Sequence, residues 1–501
     1  MPLSVHASHS PEILYDRTLV WLRRDLRLSD QVALSQALRH SRQVLVCFLF
    51  DREILDPLPR ADRRVEFIVA SLQALDAALH EAHPVDGVGL ICLHGTAREQ
   101  IAALARELGV QAVFANHDDE PQALARDALV RGQLAAQGMA LHTFKDHVVF
   151  ERQEVLTQSG RPFAVFTPYR NAWLKKLQAD DLQDWPFKAH AARLAPRPSE
   201  RRKPVPSLAE LGFQATNLGQ LHLQPGEAGG QALLEDFLQR IDHYGERRDF
   251  PAIKGPSYLS VHLRFGTVSI RQLVREAHAR AQAGSHGAQV WLSELIWRDF
   301  YAQVLANFPQ VGQGRSFKPE YDAIPWEKGK TAEVLWTAWR EARTGYPLVD
   351  AALRQLHQTG YMHNRLRMVV ASFLVKDLGI DWRRGEAHFA EHLNDFDLSA
   401  NNGGWQWASS SGCDAQPYFR IFNPVSQSEK FDAEGKFIRR YVPELAGLPS
   451  RSLHAPWLAS PLELQAAGVT LGETYPLPVV DHARAREKTL ARYAVVKTAR
   501  A

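Results

Sequence analysis

Asp395-Phe396-Asp397-Leu398-Ser399-Ala400-Asn401-Asn402-Gly403-Gly404-Trp405-Gln406-Trp407 sets two carboxylates, paired asparagines, paired glycines and two indoles in one short run. Carboxylates two positions apart cannot share a helix face, so Asp395 and Asp397 are expected in an irregular or N-terminal turn. Asn401-Asn402-Gly403-Gly404 is expected to break regular structure and to let the backbone come close to something. Trp405 and Trp407 then supply large flat surfaces with one donor each. Standing alone, the run is a polar loop followed by a helix that packs two tryptophans into a core. Its neighbours change that reading.

Downstream come Ser410-Ser411-Gly412-Cys413-Asp414, Arg420-Ile421-Phe422-Asn423-Pro424, Lys430-Phe431-Asp432 and Tyr441-Val442-Pro443-Glu444-Leu445. Upstream lie Thr344-Gly345-Tyr346-Pro347-Leu348-Val349-Asp350-Ala351 and His363-Asn364-Arg365-Leu366-Arg367-Met368. In this order the motifs resemble the flavin domain of the DNA photolyase/cryptochrome family, and within it the bacterial class I cyclobutane pyrimidine dimer photolyases. The resemblance runs from about Thr18 to about Pro456.

Composition narrows the class without deciding it. A chain of 501 residues holds two or three domains. The formal charge of +3 does not announce a nucleic-acid binder, so any basic surface must be local. Cys47, Cys92 and Cys413 lack metal-ligand spacing and fit a reducing cytoplasm better than a disulfide framework. No apolar run is long enough to span a membrane, and the N-terminus has no signal-peptide core. Nine of the twelve tryptophans lie between Trp291 and Trp457, a concentration that needs a reason beyond core filling.

From Thr18 the chain alternates. Strand-like runs at Thr18–Leu22, Val44–Phe50, Gly89–Leu93, Ala112–Ala115 and near Leu141–Val149 are separated by helix-period segments at Gln31–Leu38, Arg64–Leu79, Ala97–Leu108 and Gln122–Ala136. That alternation predicts a doubly wound parallel sheet. No Gly-x-Gly-x-x-Gly follows the first strand, so this Rossmann-like sheet lacks the usual dinucleotide fingerprint. Pro- and Arg-rich sequence from Trp185 to about Gly230 predicts a linker. From Ala232 the pattern is almost entirely helical. The expected organisation is an extension over 1–16, an α/β antenna-type domain over 17–150, a linker over 151–230, a helical FAD-binding catalytic domain over 231–475 and a tail over 476–501.

Several motifs carry chemistry only in the light of the resemblance. Tyr244 and the Ser257-Tyr258-Leu259-Ser260 segment match the part that clasps the flavin diphosphate, free N–H groups at a helix entry being suited to phosphate. Read alone, Ser257 is an ordinary N-cap. Pro256 departs from the threonine common in the family; one hydroxyl contact is lost, although proline suits a helix start. Arg367 matches the ion-pair partner of Asp395 beside the flavin ring, with Asp397 adjoining. Asn401 matches the amide that faces flavin N5 and favours the reduced, anionic cofactor.

Glu294 and Trp297, three apart on a helix, match the pair that reads and stacks the damaged bases, with Arg298 beside them. Otherwise they are amphipathic packing. Asn364 and Met368 share a helix face and match further pocket residues, as Trp407 does; relatives that repair the six-four photoproduct carry histidines at the two former positions. Arg248, Arg365 and Arg420 match contacts to DNA phosphates. Trp405, Trp382 and Trp326 match an electron relay from flavin to surface; the plain alternative is three core aromatics. Asn116-His117-Asp118-Asp119-Glu120-Pro121 follows a strand end and resembles the loop of deazaflavin-binding members.

The resemblance thus implies a cytoplasmic, monomeric deoxyribodipyrimidine photo-lyase acting on UV-damaged DNA. FAD, reduced and anionic when active, passes an electron under blue light to a flipped cyclobutane dimer, and the electron returns after ring opening. A second antenna chromophore, methenyltetrahydrofolate or 8-hydroxy-5-deazaflavin, is expected, and no metal. The alternative is a cryptochrome-like photoreceptor without repair activity, against which Asn401, Asn364, Met368 and Trp297 weigh.

Overall fold

The computed structural model describes residues 12–498. The chain divides into two compact units. The first comprises Met1–Val149, Leu177–Asp236 and Leu259–Glu276, and the second Phe150–Lys176, Phe237–Tyr258 and Ala277–Ala501.

The first unit is built on five parallel strands: β1 (Tyr15–Leu22), β2 (Ser41–Asp51), β3 (Leu90–Gly95), β4 (Ala112–Asn116) and β5 (Ala140–Phe144). Their order is β3-β2-β1-β4-β5. Parallel neighbours need crossovers, and helices Val32–His40, Arg63–Ala82, Ala97–Glu107 and Pro121–Ala135 supply one after each of the first four strands. Val20, Leu22, Val44 and Val46 enter one core, while Leu19, Trp21, Leu45 and Cys47 enter another. Both sheet faces are therefore covered, which is why these strands are continuous apolar runs rather than alternating ones. The doubly wound α/β reading holds. Much of the expected linker consists of short 3-10 turns and extended chain, with Phe187, Leu194 and Phe213 buried in the first of these cores.

The second unit is helical, as expected. Six of its helices position the chemistry: α1 (His286–Asn307), α2 (Gly329–Arg340), α3 (Pro347–Thr359), α4 (Asn364–Ser372), α5 (Trp382–His392) and α6 (Leu398–Ser409). Local signals set their ends. Ser285 caps α1, Asp381 caps α5 and Asp397 caps α6, each accepting from a backbone N–H of the first turn. α3 starts on Pro347 and stops at Gly360, whose φ of 67° suits glycine. One continuous core joins Trp339, Leu353, Val370, Leu374, Phe389 and Trp405.

The contact between α5 and α6 is unusually close. A Cβ on Gly385, the fourth residue of α5, would lie 2.1 Å from the Trp405 ring. Alanine gains at most about 1 kcal/mol of helix propensity over glycine, whereas overpacking a rigid indole costs about 1–3 kcal/mol. We expect Gly385→Ala to destabilise the chain by about 1–2 kcal/mol net. A lowered urea midpoint at constant slope would show it; an unchanged or raised midpoint would mean that α5 and α6 can part.

Candidate active site and cofactor-binding face

The Asn401–Gly404 run does not break regular structure. It lies inside α6, because Asp397 caps the helix (Oδ1 accepts from Ala400 N at 3.2 Å) and a buried face of Asn402, Trp405, Gln406 and Ser409 outweighs the low propensity of glycine. The two glycines do different work. A Cβ on Gly403 would meet the Tyr301 ring at 2.2 Å, whereas one on Gly404 would meet nothing within 4 Å. Asp397, Asn401 and Gly404 follow the i, i+4, i+7 spacing of one helix face, and its last position is exposed bare backbone.

Behind this face is an amide network that the sequence did not advertise. Asn401 Nδ2 donates to the Glu386 carbonyl at 3.1 Å. Asn402 Nδ2 donates to Glu386 Oε1 at 2.8 Å and to Val311 O at 2.9 Å. Gln406 Nε2 donates to Asn402 Oδ1 at 3.0 Å. Burial pushes the Glu386 carboxyl up to about 7, against the opposing hydrogen bond from Asn402. Glu386 sits on α5, remote in sequence, and no local pattern marks it.

α4 packs beside α6. Arg367 Nη2 lies 2.8 Å from Asp395 Oδ2, and Arg367 Nε donates to Met362 O. Two further arginines are also held by carboxylates, Arg365 by Asp249 at 2.8 Å and Arg248 by Glu294 at 2.6 Å. The Arg248 guanidinium stands 5.3 Å over the ring of buried Tyr244. Met368, Trp407, Phe422, Arg365, Asp249 and Lys430 line part of a cavity of about 460 Å³. Asn364 is exposed one turn before Met368, Arg298 is half-buried and Arg420 is exposed. Trp297 does not line that cavity; its ring lies 3.7 Å from that of Phe166, stacked within 9°.

Ser257 is not an N-cap, because the following helix begins at Ser260 with Leu259 before it; Pro256 therefore lies outside that first turn. Tyr258 has a φ of 59°, and its ring lies 5.5 Å from that of Tyr361. Trp382 and Trp405 are 1 % and 2 % exposed, and Trp326 is half-buried against the same core. The indole N–H groups of Trp405 and Trp326 are buried and have no acceptor among the described residues.

In the α/β unit, strand order reverses at β1 and β4, the usual ligand position of such sheets. The acidic loop at this point is engaged by the protein itself. Asn116 bonds Asp25 and Ala33 N, and Arg24 reaches Asp118 at 3.3 Å and Glu120 at 3.2 Å. Although burial opposes it, Arg24 and then Arg23 hold Asp118 well below the usual carboxylate range.

Comparison with known proteins gives the family. Residues 18–189 match the family described as DNA photolyase, and residues 291–495 match the FAD binding domain of DNA photolyase. The deoxyribodipyrimidine photo-lyase of Escherichia coli K12 is 41% identical over 483 residues, covering 95% of this chain and 98% of that protein. A bacterial class III photolyase from Agrobacterium tumefaciens superposes with a TM-score of 0.87 at 35% identity, covering 99% of this chain and all of that one. An archaeal photolyase from Sulfolobus tokodaii, solved with two FAD molecules, gives a TM-score of 0.78 at 31% identity over 95% and 99% of the two chains. The chain belongs to the DNA photolyase family. Its helical unit is the FAD-binding domain of that family, and the residues present fit a flavin: a fixed amide at Asn401, an ion pair at Arg367–Asp395 and open helix backbone at Gly404.

The raised Glu386 carboxyl makes a pH test. Between about 4.5 and about 7 the folded chain keeps a proton that the unfolded chain has released, so stability falls as pH rises through that window and then levels off. With partial screening, the loss attributable to this group is about 2–3 kcal/mol. Glu386→Gln keeps the acceptor for Asn402 and should remove that loss. Urea midpoints at pH 5 and pH 8 measure it, and equal losses in both proteins would show that Glu386 is ionised throughout.

Proposed function

We propose that the chain is a light-driven deoxyribodipyrimidine photo-lyase that splits cyclobutane pyrimidine dimers in UV-damaged DNA, working as a monomer in the cytoplasm. The observation that carries this reading is the cavity walled by Met368, Trp407 and Phe422 and rimmed by Arg365 and Lys430. Its volume of about 460 Å³ is in the range of small-ligand pockets. Apolar and aromatic walls suit extruded bases, and a cationic rim suits the flanking phosphates.

FAD in the helical unit supplies the light-excited electron donor. Asn401 has no proton to release, and its amide nitrogen is committed to Glu386 O, so it orients without titrating. Arg248 and Glu294 are both partly exposed, with side chains 21% and 30% accessible. An ion pair of that kind is worth under about 1 kcal/mol, so Arg248 can exchange it for a DNA phosphate while Glu294 turns to a base edge. In the reaction both carbon–carbon bonds joining the bases break, no atom is gained, and there is no net oxidation. Trp405, Trp382 and Trp326 form the electron path to the surface; what supports this is the near-complete burial of Trp405 and Trp382, the partial exposure of Trp326 and the seating of Trp405 on Gly385, one turn from Trp382. A second, light-harvesting chromophore, methenyltetrahydrofolate or 8-hydroxy-5-deazaflavin, belongs to the α/β unit, and the second FAD of the archaeal relative supports such a site. Three free cysteines support the reducing compartment.

The test is UV-irradiated oligothymidine mixed with reduced protein, with base absorbance followed in blue light and in darkness. Recovery in light only, lost in Glu294→Ala, is the expected result. No recovery from protein with a normal flavin spectrum would make it a photoreceptor. For the electron path, Trp326→Phe should abolish photoreduction of the bound flavin while chemically reduced protein repairs as before. Loss of both would make Trp326 a packing residue against Tyr493, 6.1 Å away.

A further inference from the structure

Three histidines that the photolyase reading does not use stand together in the helical unit. His357 is on α3, and His388 and His392 are one turn apart on a single face of α5. Each offers a ring nitrogen, and the three atoms lie within 4.8 Å of one another. His357 Nε2 and His388 Nε2 are 3.1 Å apart. Two nitrogens bound to one tetrahedral zinc at about 2.0–2.1 Å lie about 3.3 Å apart, so this spacing is that of neighbouring ligands on one ion.

The surroundings favour a metal over a plain hydrogen bond. His392 Nδ1 donates to His388 O at 2.9 Å, which places the lone pair on Nε2. Metal-bound histidines ordinarily make this bond with their other nitrogen. A simple His357–His388 hydrogen bond accounts for two rings and gives no role to the third, whose centroid lies 4.2 Å from that of His388 and 5.0 Å from that of His357. His388 is 5% exposed and packs against Trp336 and Trp339 at 6.0 and 5.3 Å, which holds the ring still. His357 and His392 are half-buried and leave a way in from solvent. The cation nearest in effect, Arg340, is half exposed and paired with Glu341 at 3.8 Å, so its repulsion is screened.

We propose that His357, His388 and His392 form a three-histidine site for zinc that staples α3 to α5. Imidazole ligands without thiolate or carboxylate suit a borderline dication of this class, and water completes the coordination. α5 also carries Trp382, Gly385 and Glu386, so the staple would steady the helix against which α6 is seated.

The experiment uses untagged, full-length, flavin-loaded protein freed of metal by a chelator, titrated with zinc chloride by calorimetry and with cobalt chloride by visible absorption. One equivalent of zinc should bind and raise the melting temperature, and cobalt should give the intense bands of a tetrahedral site. His357→Asn and His392→Ala, both at partly exposed positions, should each lose the bands and the thermal shift while flavin absorption and light-dependent repair stay unchanged. Absence of stoichiometric binding by the parent protein overturns the proposal. So does undiminished binding by the double variant with intact flavin absorption, which would place the metal elsewhere.

Discussion

The helical unit depends on how closely α6 lies on α5. The Trp405 ring occupies the space that a side chain on Gly385 would need, and the buried amide of Asn402 bridges Glu386 and Val311 O. Neither contact tolerates sliding. A buried amide that loses its partners costs about 1–3 kcal/mol, and an indole cannot yield to a new methyl as a flexible chain would. With these contacts fixed, Asn401 is fixed as well, one residue from Asn402 and donating to the same residue's carbonyl. The open face of α6 is thus held from behind, by the Trp405–Gly385 contact and the Asn402–Glu386 hydrogen bond.

Charge is arranged on a different principle. The chain has nearly as many acidic as basic residues, and the arginines matched to DNA contacts are largely neutralised locally, Arg248 by Glu294 and Arg365 by Asp249. Both pairs are partly solvated, so they cost little to open and screen the surface from indiscriminate attraction to polyanions. The α/β unit shows the opposite case. Arg27, Arg271, Asp30 and Asp146 form a buried cluster in which Arg27 and Arg271 both reach Asp146 at 2.8–2.9 Å. Breaking one such pair strands a charge and costs about 3–5 kcal/mol. These ions are structural, whereas the Arg248–Glu294 and Arg365–Asp249 pairs keep contact with solvent.

What could be read from the sequence followed the periodicities. The five strands are apolar because both faces of a parallel sheet are covered, and that burial is visible as uninterrupted Val, Leu, Ile and Phe. The turn expected around Asp395 and Asp397 is the start of α6, with Asp397 as its cap. The Asn-Asn-Gly-Gly run misled, because propensity predicts a break where tertiary burial of Asn402, Trp405 and Gln406 enforces a helix. Ser257 misled for a related reason: a hydroxyl before a helical pattern looks like a cap wherever the first turn begins.

By itself, the sequence determined the fold class, the family and the positions at which an amide, an acid or an indole stands, because these follow from local pattern and from ordered motifs. The tertiary structure decided which of those groups meet. Glu386 under Asn402, Trp405 against Gly385, Glu294 on Arg248 and His357 beside His388 are contacts between separate elements. No periodicity records them, since the energy that selects such pairs comes from burial and desolvation, which exist only once the chain has closed on itself.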